Sequence, residues 1–338
     1  MNNPPQNLTQ KQTKLFTTTI FITPEFLWNS EMEKLKHLIE SQQFTPEILF
    51  YLFNKADELR LKTQETLKGK IMATLFYEPS TRTRLSFESA MLKLGGQVLS
   101  TENAKDFSSS VKGESLHDTS IVVSSYADVI VMRHYEDGAA KKAAEVSKVP
   151  IINAGDGKGQ HPTQALLDMY TIYRELGRLN NLKVAMVGDL ASGRTVRSLS
   201  YLLGKFTGNE IILVSPPHLR MKDDVKEYLK KHNTPLREES DINKILPEAD
   251  IIYMVRTQKE RISLEDYKKV EKQKTKLTIS SKNFNLIKSD ARIMHPLPKV
   301  DEIDLPVEVE QNDKRVAYFR QAENGLFIRM AFLDFMLG

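Results

Sequence analysis

The stretch Phe76-Tyr-Glu-Pro-Ser-Thr-Arg-Thr-Arg-Leu-Ser-Phe87 concentrates hydroxyls and guanidinium groups where a short apolar run gives way to a helical pattern. Such a junction is a phosphate trap in physical terms. The first turn of a helix leaves backbone N–H groups unpaired and carries the positive end of the helix dipole. Ser80, Thr81 and Thr83 add hydroxyl donors, and Arg82 can grip phosphate oxygens through two parallel hydrogen bonds. Glu78, just upstream, would repel an anion unless arginines neutralise it. The same residues also suit an N-capped helix with a solvated arginine, and composition alone does not choose.

Further arginines stand in comparable places. Arg133 follows the apolar run Asp128–Met132, Arg194 follows the stretch Gly188–Gly193, and Arg256 follows Asp250–Val255 with Gln258 close behind. Ligands of α/β proteins bind outside the carboxyl ends of strands, where these side chains are expected. His161-Pro-Thr-Gln164 comes after Pro150–Asn153 and the glycines Gly155, Gly157 and Gly159. A histidine in that setting serves a site or a core equally well. His295-Pro-Leu-Pro298 ends the run Arg292–Met294, and its prolines hold an extended backbone whose carbonyls can accept hydrogen bonds. Neither glycine stretch is a nucleotide fingerprint. Asn153–Gln160 lacks the P-loop spacing, and Gly188–Thr195 lacks the G-x-G-x-x-G order. The sequence offers no metal-ligand cluster and no nucleophile elbow. Cations at so many strand ends point to a small, strongly anionic substrate set, and phosphate plus carboxylates fit it.

Positioning these groups requires strands that end, and helices that begin, along shared edges. Apolar runs suited to buried strands occur at Ile71–Phe76, Asp128–Met132, Pro150–Asn153, Lys183–Val187, Glu210–Val214, Asp250–Val255 and Arg292–Met294. After Thr83, the residues Phe87, Ala90, Met91 and Leu94 share one helical face, and Gly95-Gly96 supplies a stop. Val196, Leu199 and Leu203 repeat that spacing up to Gly204. The alternation predicts an α/β fold with parallel sheets, in two series that meet near His161. Residues 1–19, polar and rich in Pro, Asn and Gln, read as a flexible lead-in.

Composition narrows the classes. A chain of 338 residues is long enough for about two domains and a large core without staples. With no cysteine there is no disulfide, no thiolate metal site and no cysteine nucleophile. The 48 basic and 44 acidic residues leave +4, and Lys11 and Lys14 in an acid-free leading stretch supply half of it. The remainder is too small to argue for a nucleic-acid surface. No apolar run approaches the ~20 residues of a membrane span. The opening residues lack a secretory pattern, and the absence of Arg and Ser before residue 24 weighs against a transit peptide. A cytoplasmic protein with neither a nucleic-acid nor a membrane partner is therefore expected.

Taken together, Phe76–Ala90, Val131–His134, Asn153–Leu167, Val187–Ser198, Tyr253–Arg261, His295–Ile303 and Tyr318–Arg329 resemble the catalytic chains of aspartate carbamoyltransferases, within the aspartate/ornithine carbamoyltransferase superfamily. The motifs lie in order from about residue 20 to the end. Ser80-Thr-Arg-Thr-Arg84 is similar to the superfamily signature, and Arg256-Thr-Gln258 with Leu297 marks the aspartate branch. Ornithine-using relatives carry a cysteine after the histidine of the last motif, which this chain lacks.

The resemblance implies attack of the α-amino group of L-aspartate on carbamoyl phosphate, an early step of de novo pyrimidine synthesis. It implies a site in the cleft between a carbamoyl-phosphate domain over 20–161 and an aspartate domain over 162–322. A C-terminal helix at about 323–338 would pack back on the first domain. Ser80, Thr81, Arg82 and Thr83 would bind phosphate, with Arg133 bridging phosphate and carbonyl oxygen. Thr83, Arg133 and His161 would stabilise the oxyanion, while Gln164 and the carbonyls of Pro296 and Leu297 would hold the carbamoyl NH2. Arg194 would take the α-carboxylate of aspartate, and Arg256 with Gln258 the β-carboxylate. Ser108 and Lys112 match residues that reach into a neighbouring subunit's site, which implies a homotrimer with composite sites. Glu78 would bridge the domains on closure through Arg194 and Arg261. No metal or organic cofactor is implied, and a separate regulatory chain or a feedback nucleotide is an allowed further partner. Ala191-Ser192 stands where some bacterial members have Lys-Tyr, and Lys299 where Arg is usual. An ornithine-using enzyme and a catalytically dead homologue are the rival readings. The second carboxylate partner at Arg256 disfavours the former, and retention of Ser80–Arg84, Lys112, Arg133, His161 and Gln164 disfavours the latter.

Overall fold

The computed structural model describes residues 33–338 apart from 63, 108 and 259–261. The expected lead-in and the site candidates Ser108 and Arg261 lie outside the described residues. Helix α1 (Pro46–Leu61) is followed by β1 (Ile71–Phe76), α2 (Thr81–Lys93), β2 (Gln97–Glu102), α3 (Ala104–Phe107), α4 (Leu116–Val123), β3 (Val129–His134), α5 (Ala139–Val146) and β4 (Ile151–Asp156). Helix α6 (Pro162–Leu176) leads into β5 (Lys183–Gly188), α7 (Arg194–Leu203), β6 (Glu210–Val214), α8 (Asp223–Lys231), β7 (Leu236–Glu239) and β8 (Ile251–Val255). The chain finishes with α9 (Leu264–Glu271), β9 (Ile279–Ser280), β10 (Arg292–Met294), β11 (Ile303–Asp304), α10 (Val307–Asn312) and α11 (Tyr318–Leu337).

Two all-parallel sheets result, as the alternating pattern predicts. The first has the order β2-β1-β3-β4 and the second β10-β8-β5-β6-β7, with β9 and β11 forming a small parallel pair. Each large sheet has its own apolar core. One gathers Ala73, Leu75, Ile130, Met132 and Ile151, and the other Ala185, Val187, Ile212, Ile252 and Met254. In each sheet the strand order reverses once beside its first-formed strand, between β1 and β3 and between β5 and β8. Those reversals splay the connections apart and leave a crevice at the strand ends.

The central strands follow the apolar runs because both of their faces are covered. Strands β3 and β4 continue past those runs to His134 and Asp156, so their last residues are polar groups at the ligand edge. Asp128 stays outside β3, where its carboxylate accepts a hydrogen bond from the Ile71 N–H at 2.8 Å. The sequence reading missed the two-residue strands β9 and β11 and, in the large sheets, β2 and β7. The latter two are edge strands, and Gln-Val-Leu-Ser-Thr-Glu and Leu-Arg-Glu-Glu carry the mixed polarity that a half-covered edge tolerates.

Helix α6 connects the two sheets, running from the end of β4 to the start of β5. Pro162 occupies its first turn, and Gly177, at φ 69°, ends it in the left-handed region. Its residues are buried from Pro162 to Ile172 because it packs against β4, α7 and α11. The long α11 lies against α1, α2 and α6.

Candidate active site

Both crevices open on one cavity of about 680 Å³. The first sheet contributes Ser80–Thr83 from the start of α2 and Arg133 from the end of β3. The second contributes Gly193–Thr195 from the start of α7, and Arg256 and Gln258 after β8. His161 and Gln164 of α6, and Pro296 and Leu297 after β10, close the ring. The structure thus brings together every predicted contact except Glu78, which stands one layer behind, and Lys112, together with the two undescribed positions. Lys112 lies on an exposed 3-10 turn, away from the lining of this chain's cavity.

Ser80 occupies the N-cap of α2 without making a side-chain cap bond. Its hydroxyl instead accepts from Arg133 Nη1 at 3.0 Å. Burial draws the Arg82 guanidinium below its ordinary pKa, the signature of a cation partly stripped of water. Arg84 of the same motif faces away and donates to Ser100 Oγ at 3.0 Å on β2.

Glu78 binds one arginine from each half. Its Oε2 lies 3.4 Å from Arg133 Nε, and both terminal nitrogens of Arg194 donate to it at 3.3 Å. The carboxylate next to an anion site is therefore neutralised, as its position demands. Arg194 also donates to the Gly157 carbonyl at 3.0 Å. This buried guanidinium lies flat against the backbone of Gly155, whose φ is 112°, and a Cβ there would come within 2.9 Å of Arg194 Cζ. Gly188 at φ 123° is equally forced, since a Cβ would sit 2.1 Å from the Val255 carbonyl oxygen.

Gln258 Nε2 donates to the Ser192 carbonyl at 3.0 Å, and its backbone N–H donates to Asp189 Oδ2 at 3.3 Å. The Ser192 N–H binds the other oxygen of Asp189 at 2.9 Å. Burial raises Asp189 from the usual carboxylate range, and these backbone donors oppose that rise. The Ala191-Ser192 departure thus lies in a turn held by main-chain groups. Lys299, the other departure, pairs with Glu310 at 2.7 Å.

His161 caps α6. Its N–H donates to Ser198 Oγ at 2.8 Å, and Nδ1 lies 3.3 Å from Thr163 Oγ1. Burial, and then Arg194, Arg133 and Arg329, hold it well below the ordinary histidine pKa, so the ring is neutral. Leu297 has φ 57°, a left-handed conformation that costs a non-glycine residue ~1–2 kcal/mol. Its N–H donates to His295 Nδ1 at 2.7 Å, and His295 Nε2 is 2.8 Å from Glu302. That anchored turn aims the Pro296–Leu297 backbone at the cavity.

A family model for the aspartate/ornithine carbamoyltransferase carbamoyl-P binding domain matches residues 36–174, and one for the Asp/Orn binding domain matches residues 180–336. The chain belongs to the aspartate/ornithine carbamoyltransferase family. It is 51% identical over 309 residues to aspartate carbamoyltransferase 1, chloroplastic, of Pisum sativum, across 90% of this chain and 79% of the relative. Identity to the aspartate carbamoyltransferase catalytic subunit of Clostridium novyi (strain NT) is 45% over 306 residues, covering 90% and 98% of the two chains. Among solved structures, aspartate transcarbamoylase from Trypanosoma cruzi in complex with N-(phosphonacetyl)-L-aspartic acid superposes with a TM-score of 0.85 at 38% identity, covering 90% and 97%.

The sequence reading gave no role to Asp168, Gln321 or Arg329. Gln321 and Arg329 line the cavity from α11, and Asp168 is buried behind it on α6. Helix α6 is buried all along Pro162–Ile172, so burial does not single out Asp168, and Gln321 and Arg329 lie in the Tyr318–Arg329 segment without a role that local pattern could give them. Among the described residues, no group of three or more His, Asp or Glu side chains is placed to hold a metal ion. No described helix is long and apolar enough to cross a membrane.

Proposed function

We propose that the chain transfers the carbamoyl group of carbamoyl phosphate to the α-amino group of L-aspartate, giving N-carbamoyl-L-aspartate and phosphate. The observation that carries this reading is the convergence of Arg82 and Arg133 from one sheet, and Arg194 and Arg256 from the other, on a single cavity. A phosphate and two carboxylates supply the matching anions. The amine lone pair attacks the carbonyl carbon, and the C=O electrons move onto oxygen. The tetrahedral intermediate then expels phosphate, which takes the proton from the nitrogen.

In this reading Ser80, Thr81, Arg82 and Thr83 hold the phosphate, and Arg133 spans phosphate and carbonyl oxygen. Thr83, Arg133 and His161 meet the developing oxyanion. With the Thr163 hydroxyl donating to Nδ1, His161 presents an Nε2–H to that oxygen as a neutral donor. Preorganised donors of this kind contribute about 3 kcal/mol each in a site closed to water. Gln164 and the Pro296 and Leu297 carbonyls read the carbamoyl NH2. Arg194 takes the α-carboxylate of aspartate, and Arg256 with Gln258 the β-carboxylate. A coupled assay tests the reaction: N-carbamoyl-aspartate should form with aspartate, and ornithine should give no citrulline. Turnover of ornithine in place of aspartate would overturn the reading.

A homotrimer with shared sites belongs to the same proposal. Its support is the exposed Lys112, set outside its own chain's cavity, and the exposed Leu85, Leu92 and Leu99 along α2 and β2. Inactive Lys112→Ala and Arg82→Ala chains, mixed after dissociation, should recover partial activity on reassembly. Confirmed mixed assemblies without recovery would sink the shared-site claim. Partition between 20–161 and 162–322, with the terminal helix returning to the first part, is also part of this reading. So is a cytoplasmic location, which imaging of a full-length fusion tests against the chloroplastic naming of the plant relatives.

A further inference from the structure

Asp168 is fully buried and touches neither the cavity nor the surface. Three donors from three elements converge on it. Gln164 Nε2 of α6 donates to Oδ1 at 2.9 Å, Gln321 Nε2 of α11 donates to the same oxygen at 2.6 Å, and the Tyr253 hydroxyl of β8 donates to Oδ2 at 2.7 Å. Both glutamines line the cavity. An amide can turn over and exchange its donor and acceptor ends, and the identity of its partner decides which end faces the ligand. The orientation of Gln321 is fixed independently, because its Oε1 accepts the His295 N–H at 2.8 Å. With Nε2 of Gln164 committed to Asp168, the carbonyl oxygen is the end left for the cavity.

We infer that Asp168 is a positioning residue for substrate discrimination: it holds the Gln164 amide so that Oε1 faces the ligand as an acceptor for the carbamoyl NH2. The inference rests on the proposed reading of Gln164 and extends it to the group behind. A carbamoyl group and an acetyl group have nearly the same shape and differ in having N–H donors or a methyl. An acceptor oxygen at this place favours the former, whereas an inverted amide would present an NH2 to the ligand's own NH2. Burial raises Asp168 to about 7, while Tyr253, Gln321, Gln164 and the charge of Arg329 pull it back. The orientation is indifferent to that titration. A proton on Oδ2 reverses the Tyr253 bond and leaves Oδ1 accepting from both amides.

The test compares phosphonoacetamide with phosphonoacetone, stable phosphonates that differ in NH2 against CH3, by calorimetric binding to the full chain in its native assembly. The unaltered protein should prefer the amide by about tenfold, the worth of one well-made hydrogen bond. Gln164→Met should abolish that preference. Asp168→Ala should reduce it to within about threefold of unity while inorganic phosphate still binds. Asp168→Asn keeps an acceptor oxygen and should retain the preference. Where Asp168→Ala does not fold, shown by loss of phosphate binding and of cooperative unfolding, Asp168→Ser carries the same prediction. Full preference in Asp168→Ala or Asp168→Ser, with Gln164→Met having lost it, overturns the positioning role and leaves the Gln164 reading intact. Full preference in Gln164→Met overturns both.

Discussion

At the α2 end of the cleft, the helix start meets the cavity with its first-turn groups turned toward the ligand space, and Ser80 is not spent on capping the helix. At the α7 end the corresponding groups already have protein partners. Arg194 is bound to Glu78 and the Gly157 carbonyl, and Gln258 to the Ser192 carbonyl. The two ends use the same device, an arginine where a strand turns into a helix, but differ in readiness. A phosphate docks there by replacing the Arg133–Ser80 hydrogen bond at 3.0 Å and sharing Arg133 with Glu78, a smaller exchange. If Arg194 and Gln258 hold the carboxylates as proposed, those must exchange places with internal acceptors, a cost that binding of the first ligand can offset. Carbamoyl phosphate should therefore bind to the unliganded protein, and aspartate appreciably only after it.

The comparison is broken most sharply at the ready end. Arg82→Ala should lower kcat/KM on the order of 10³-fold, through lost phosphate and transition-state contacts. A loss under about tenfold in steady-state assays would show that the α2 start is an ordinary capped helix. At the other end, Arg256→Ala should raise the KM for aspartate roughly 30-fold and leave that for carbamoyl phosphate nearly unchanged. Equal rises in both constants would erase the distinction between the ends. Glu78→Gln touches the link between them. It releases Arg194 and Arg133 from a shared carboxylate, and aspartate affinity should change several-fold, roughly fivefold, with a smaller effect on carbamoyl phosphate. If the larger change falls on carbamoyl phosphate, Glu78 serves the phosphate end alone.

The smallest expected effect concerns stability against pH. Asp168 is raised to about 7 in the folded chain, so its proton is held more tightly there than in the unfolded chain. That contribution to stability is complete at low pH and is lost as the pH rises through about 7. Asparagine does not titrate. The melting temperature of Asp168→Asn relative to the unaltered protein should therefore increase between pH 5 and pH 8. A constant difference across that interval would show that Asp168 titrates alike in both states.

What the sequence makes legible follows from what each element must satisfy. Strands β1, β3, β5, β6 and β8 are covered on both faces, so they are written as continuous apolar runs. The edge strands β2 and β7 pair on one side only, and their residues obey no such rule. The arginines at strand ends are legible because a junction of apolar run and helix start is a local pattern. Asp168 is not, because its meaning depends on Gln321, 153 positions away. Only the docking of α11 against α6 brings Gln321 onto Asp168 and joins it to the set that Gln164 and Tyr253 complete. Arg84 errs in the opposite direction: it belongs to the motif by spelling, yet the helical turn points it at Ser100 rather than the ligand.

The placement of α11 also governs the order in which the molecule can be completed. It lies against α1 and α2, which are made from the early part of the chain, and it carries Gln321 to the set behind the cavity. A nascent chain leaves the ribosome from its N-terminal end at about 5–20 residues per second, so the early sheet can pair while the faces of its helices are still uncovered. Those faces, and the lining of the site, close only once α11 (Tyr318–Leu337) has emerged. Until then apolar surface stays open to water, and the cleft reaches its working form only after α11 has docked.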